Sequence, residues 1–285
     1  MTTTGDGSTA MDGKQIDASL NDAHERRPLV LVTNDDGYGA SGIEAMVSEL
    51  ESWATVLVIA PADNQSACAH KFSFRKQLCW KEEGPRRFSL DGTPVDCVYV
   101  GIFGGERVSS RVPDLVVSGL NLGCNLGLDI FYSGTVAGAR EAAIRGVPGI
   151  AVSAEYGADL ERAARLCSRM AEEYLRLLRR TPNAKPVVVN VNVPAKGTWE
   201  LCRTRLGHRI YTETVEFRRG SDGGEFLWLG GESSVTNDDT PGTDTHAVAS
   251  GFVGVTGLPL TPQGDAEVAA VVDSLIEAVG TNCGV

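Results

Sequence analysis

Five short apolar runs mark out the larger part of the chain. Val30–Thr33, Thr55–Ala60 (TVLVIA, ended by Pro61), Leu115–Ser118 (after Pro113-Asp114), Gly149–Ser153 and Val187–Val193 (VVVNVNV) read as buried strands. Between them the apolar period becomes helical. Gly42–Trp53 carries Ile43, Met46, Val47 and Leu50 on one face, and Gly157–Arg180 carries Leu160, Ala164, Cys167, Met170, Tyr174 and Leu178 near helical spacing. Ser133–Arg145 is a third helical segment. Continuously apolar strands alternating with helices predict an α/β fold with a mostly parallel sheet covered on both faces. In such sheets ligands bind beyond the carboxyl ends of the strands.

The pattern changes after residue 200. Tyr211–Leu229 holds strand-like stretches around Arg218-Arg219-Gly220-Ser221-Asp222-Gly223-Gly224, a hairpin signal; Gly251–Thr256 reads as a short strand and Ala266–Val279 as a closing helix. Residues 1–27 are polar and aperiodic and are expected to form a disordered leader. The expected division is therefore a leader (1–27), a core (28–200) and an antiparallel extension (201–285).

Composition narrows the function. The chain has 285 residues, 42% of them hydrophobic, enough for one large domain or one with an appendage. No apolar run has the length of a membrane span and the start lacks a signal peptide's pattern, so cytoplasmic residence is the default expectation. Seven scattered cysteines without CxxC, and four histidines without HExxH or HxH, argue against a disulfide framework and a zinc or histidine-rich centre. The net charge of −11 disfavours nucleic-acid polymers and anionic membranes. A small phosphate substrate remains open, but it would need locally concentrated positive charge, which a metal ion could supply.

Polar clusters follow three of the strands. Asp35-Asp36 in LVLVTNDDGYGASG follows the first, Asp63-Asn64-Gln65-Ser66 the second, and Ser118-Gly119-Leu120-Asn121-Leu122-Gly123-Cys124-Asn125 the third. Adjacent carboxylates repel, and a plain turn explains Asn34 and Gly37 but not the doubled charge. Carboxylate, amide and hydroxyl oxygens without thiol or imidazole suit a hard cation such as Mg²⁺ or Mn²⁺. Taken singly, Ser66 reads as a helix cap or solvated loop residue, and Asn121 and Asn125 as loop amides bonding their own backbone. Ser133-Gly134-Thr135 opens an alanine-rich helix and offers N–H groups and hydroxyls to a phosphate, though an ordinary N-cap would look the same. The phosphate-loop, dinucleotide and aspartyl-phosphatase patterns are absent. Gly92–Cys97 reads as a turn entering a helix, with Asp96 structural.

In this order the motifs resemble the SurE family of metal-dependent nucleoside-monophosphate phosphatases. The segments that carry the resemblance are VTNDDGYGASGI, VIAPADNQS, DGTPVDCV, PDLVVSGLNLGCNLGLDIFYSGTVAGAREAAIRGVPGIAVS and PGTDTHAVASGFVGVTGL. It implies a Rossmann-like core whose C-terminal extension exchanges between subunits, giving a homodimer or homotetramer. It implies one divalent cation per subunit held by Asp35, Asp36, Ser66 and Asn121, and a phosphate pocket lined by Asn125, Ser133, Gly134 and Thr135. The expected reaction is hydrolysis of nucleoside monophosphates by a metal-activated water, with Asp35 and Asp36 catalytic. A broader phosphomonoesterase or exopolyphosphatase, or a nucleotide-binding protein without turnover, are the alternatives. One departure stands out. The family's QSGxG is Gln65-Ser66-Ala67-Cys68-Ala69-His70 here, so the loop is expected to differ in shape, with His70 a surface bystander.

Overall fold

The computed structural model describes residues 27–181, 187–212, 215–221, 223–229 and 235–260. All but Arg27 of the expected leader, and the expected helix Ala266–Val279, lie outside them. The core strands form where the apolar runs lie: β1 (Leu29–Thr33), β2 (Thr55–Pro61), β5 (Leu115–Leu122), β6 (Gly149–Ala154) and β7 (Val188–Val193). Two further strands, β3 (Trp80–Gly84) and β4 (Arg87–Leu90), make a hairpin that adds to the β2 edge. Beyond residue 200, β8 (Leu201–Thr204) and β13 (Val253–Leu258) complete a nine-stranded sheet in the order β3-β4-β2-β1-β5-β6-β7-β13-β8. Only β3–β4 and β7–β13 pair antiparallel. Residue 200 is therefore not a boundary of the sheet.

Two helix layers cover it. Val30 and Val32 of β1 pack with Ile43, Met46 and Leu50 of α1 (Ser41–Leu50) and with Ala164 and Cys167 of α4 (Leu160–Arg180). Leu29 and Leu31, pointing the other way, pack with Cys97, Val98 and Ile102 of α2 (Pro94–Phe103) and Ala142 of α3 (Gly134–Ile144). Burial on both faces is why β1 is apolar at every position. Fully burying side chains such as Leu31, Ile43 and Met46 stabilises the fold by about 1.5–3 kcal/mol each.

Two local features shape the site. α2 starts in a reciprocal cap, with Thr93 and Asp96 each accepting the other's backbone N–H and Pro94 in the first turn, which supports the structural role expected of Asp96. β5 runs four residues past its expected end, because Gly119 and Leu120 oppose the single residue Val152 in a bulge. Asn121 thus sits on a strand rather than in a loop. Bulges re-aim the side chains that follow them.

The extension also leaves the sheet. β9 (Arg209–Tyr211) pairs with β12 (Val235–Asn237), and β10 (Val215–Arg219) pairs with β11 (Glu225–Leu229) as the expected hairpin. Every residue of β10 and β11 is exposed, and Val215, Phe217, Leu227 and Leu229 share one apolar face of that arm. The short helix α5 (Asp244–Ala249) leads back to β13.

Candidate functional site

Strand order reverses at β1, which has β2 on one side and β5 on the other. A crevice opens beyond the carboxyl ends of strands at such a point. The turn after β1 is built into it. Asn34, fully buried, donates from Nδ2 to Gly37 O (3.0 Å), while Gln65 N–H donates to Asp35 O (2.7 Å) and Tyr38 N–H to Pro61 O (2.7 Å). These bonds fasten the Asp35-Asp36 turn to the end of β2.

The two carboxylates face different partners. Asp35, 4% exposed, accepts from Thr135 N–H (3.2 Å) and from Thr135 Oγ1–H. Asp36 accepts from Leu122 N–H at 3.3 Å. Burial pushes both carboxyls above the ordinary aspartate range; for Asp35 the Thr135 bond opposes this and the neighbouring Asp36 charge adds to it. α3 approaches Asp35 so closely that a Cβ on Gly134 would stand 2.9 Å from Asp35 Cβ and 2.8 Å from Cys68 Sγ. Ser133 caps that helix, accepting from Val136 N–H (3.0 Å).

Ser66 reaches the crevice on the loop after β2. Its N–H donates to Asn64 Oδ1 (2.8 Å), and no hydrogen bond to its Oγ is present among the described residues. Ala67 and Ala69 take φ of +60° and +55°, the left-handed conformation that glycine adopts freely. Both alanines thus take a glycine-like backbone conformation. The loop is held by Ala69 N–H to Tyr132 O (2.9 Å), Thr93 Oγ1–H to Lys71 O (2.6 Å) and Ser73 N–H to Asp96 Oδ1 (2.8 Å). His70 is not a bystander. Its Nε2 lies 2.9 Å from Oε2 of the buried Glu141 on α3, whose other oxygen accepts from Arg145 Nε–H (2.7 Å). Burial raises the Glu141 carboxyl, but these two partners outweigh that and hold it below the usual range.

The left-handed alanines yield a stability prediction. A non-glycine residue there costs roughly 1–2 kcal/mol, whereas glycine costs about 0.5–1 kcal/mol in chain entropy. Ala67→Gly and Ala69→Gly are therefore expected to leave stability unchanged or raise it by up to about 1 kcal/mol each, read by denaturant unfolding. A loss above about 1 kcal/mol at either position contradicts the strain.

The floor is the β5 end. Asn121 Nδ2 donates to Gly123 O (2.5 Å), the backbone bond expected of a loop amide, which leaves Oδ1 as its free acceptor. Asn125 departs from that expectation. Its Nδ2 donates to Ser153 Oγ (2.9 Å), its N–H to Asn192 Oδ1 (2.8 Å), and its carbonyl accepts from Asn190 and Asn192 Nδ2 (2.9 and 3.1 Å). Both β7 asparagines are fully buried.

Around these groups lies a pocket of about 450 Å³, in the range of small-ligand sites. Asp35, Ser66, Asn121, Asn125 and Ser133 line it; Asp36, half-buried beside Asp35, and Gly134 and Thr135, next to Ser133, are not among its lining. Sequence reading missed Asp129, Tyr132, Tyr156 and Tyr211, which also line it. Asp129 Oδ2 accepts from Arg209 Nη1–H (2.6 Å) and Tyr211 O–H (2.8 Å), so β9 of the extension closes one side. Two alternating asparagines in the apolar VVVNVNV were the one visible hint of this polar network.

A divalent cation fits the donor set. Asp35, Asp36, Ser66 and Asn121 offer two carboxylates, a hydroxyl and an amide oxygen, all hard ligands. No lysine, arginine or histidine is among the described lining, and Arg209 just behind it is paired with the Asp129 carboxylate.

Comparison with known proteins shows the family and the fold. Residues 30–213 match the family model described as survival protein SurE. The 5'-nucleotidase SurE of Sorangium cellulosum (strain So ce56) is 51% identical over 234 residues, covering 82% of this chain and 90% of that protein. The 5'-nucleotidase SurE of Syntrophotalea carbinolica is 42% identical over 241 residues, covering 81% and 91%. The crystal structure of the SurE protein from Aquifex aeolicus superposes with a TM-score of 0.70 at 34% identity, covering 88% of this chain and 100% of that one.

Proposed function

The chain belongs to the SurE family, and from that premise we propose that it is a divalent-metal-dependent nucleotidase hydrolysing nucleoside monophosphates to nucleoside and phosphate. The observation that carries the reading is a pocket at the switch point of the sheet into which three strand ends bring Asp35, Ser66 and Asn121, all hard oxygen donors. Asp35, Asp36, Ser66 and Asn121 would hold one Mg²⁺ or Mn²⁺ per subunit. Such an ion supplies positive charge to a phosphoryl oxygen and lowers the pKa of bound water from about 15.7 toward 7.

The chain's own groups do the rest. Ser133 faces the phosphate from the positive end of α3, and Asn125, fixed by β7, borders it. Asp35 orients the attacking water and takes its proton. A P–O bond forms to that water, the ester P–O bond breaks, and solvent protonates the leaving hydroxyl. Thr135 holds Asp35 in position through both of its donors.

The same reading includes a homo-oligomer, dimer or tetramer, built through the extension, and residence in the cytoplasm. The exposed apolar face of the β10–β11 arm supports the first. Six free cysteines among the described residues support the second. No helix among the described residues is long and apolar enough to cross a membrane.

The test is a substrate panel of nucleoside monophosphates, polyphosphate and an aryl phosphate, with and without EDTA. Nucleoside monophosphates are expected to turn over best, EDTA to lower the rate at least about a hundredfold, and Mg²⁺ or Mn²⁺ to restore it. Rates indifferent to EDTA overturn the metal. Preference for polyphosphate, or binding without turnover, overturns the nucleotidase.

A further inference from the structure

The catalytic reading accounts for only part of the pocket. Asp35, Ser66, Asn121, Asn125 and Ser133 are assigned to metal and phosphate, yet Tyr132, Tyr156 and Tyr211 line the same cavity. They arrive from three separate places: before α3, after β6, and on β9. Tyr132 is 68% exposed and Tyr156 75%, so two large rings stand in water at the mouth of a polar site. Inorganic or polymeric phosphate has no use for them.

Two of the rings are supported by their neighbours. The Tyr156 ring rests on Gly123, where a Cβ would meet it at 3.3 Å, and Gly123 is also the residue whose carbonyl holds the Asn121 amide. The Tyr211 hydroxyl is fixed by Asp129, and the Arg209 guanidinium lies 5.5 Å from its ring centre. Aromatic platforms beside a phosphate site suit a planar heterocycle, and stacking a base on such a ring contributes about 1–3 kcal/mol.

We propose that Tyr156, with Tyr132 and Tyr211 beside it, is the platform on which the nucleobase stacks, so that the chain selects nucleotides over other phosphate monoesters. This rests on the nucleotidase reading and adds the residues that would recognise the base. Because the rings touch the base and not the phosphorus, they act on binding more than on the chemical step.

The experiment compares the metal-loaded full chain with its Tyr156→Ala and Tyr156→Phe variants on adenosine monophosphate and on ribose 5-phosphate, which keeps the ester and lacks the base. Tyr156→Ala is expected to raise KM for the nucleotide about tenfold with kcat within about twofold. The kcat/KM preference for the nucleotide over ribose 5-phosphate then falls by a similar factor, and Tyr156→Phe keeps it. An unchanged nucleotide KM, or equal losses on both substrates, overturns the platform. A wild-type chain that hydrolyses no nucleoside monophosphate instead overturns the nucleotidase reading itself, so the two failures are told apart by the wild-type lane.

Discussion

Asp35→Asn is expected to lower hydrolysis of a nucleoside monophosphate by at least about a thousandfold, roughly 4 kcal/mol of transition-state stabilisation, while the protein stays folded. The side chain is nearly isosteric, and its remaining oxygen can still accept one of the two Thr135 bonds. What disappears is a buried negative charge that the protein satisfies only in part. Removing it lowers the cost of burial, so the melting temperature should hold or rise even as activity is lost. Steady-state kinetics in saturating Mg²⁺ or Mn²⁺, paired with thermal unfolding, separates the two effects. Activity within tenfold of wild type would remove Asp35 from the chemistry, and a sharp fall in melting temperature would make its role structural.

A large effect on stability is expected at Gly42. This glycine, near the start of α1, faces the bulge of β5 so closely that a Cβ would stand 2.0 Å from Leu120 O. The obstacle is backbone, which no rotamer change can move aside. Gly42→Ala must push α1 away from the sheet, at the upper end of overpacking costs, about 3 kcal/mol. For a domain of this size that corresponds to a fall of roughly 6–12 °C in melting temperature. Because the clash falls on Leu120, the residue before Asn121, activity should fall at temperatures where the variant is still folded. Calorimetry that finds the melting temperature within about 2 °C of wild type would contradict the close approach.

Much of the core was legible because its physics is local. β1, β2, β6 and β7 are buried on both faces, so their apolar runs needed no partner to be read. The β3–β4 hairpin was not legible, since Trp80-Lys81-Glu82-Glu83-Gly84 is a half-exposed edge without an apolar signature. The position of Asn121 depends on a bulge, which an apolar pattern does not announce. His70 and Glu141 lie 71 residues apart, and their pairing follows from α3 packing beside the Ser66 loop, a tertiary fact. The tyrosines were missed for the same reason. Each looks like an ordinary surface residue until three remote segments meet.

The asparagine pair of β7 has a consequence for how the chain avoids folding errors. Val189, Val191 and Val193 lie on one face of the strand and Val188, Asn190 and Asn192 on the other, so slipping β7 by one residue would exchange the two faces and carry three valines to the polar side. The asparagines add to the cost of such a slip. In the native register both amides reach Asn125, whereas in a slipped one they enter the opposite apolar layer without partners. At about 1–3 kcal/mol for each stranded amide, the misaligned sheet is disfavoured by roughly 2–6 kcal/mol. Two polar side chains in a buried strand thereby act as a registration key, and the loop they align is the one that borders the pocket.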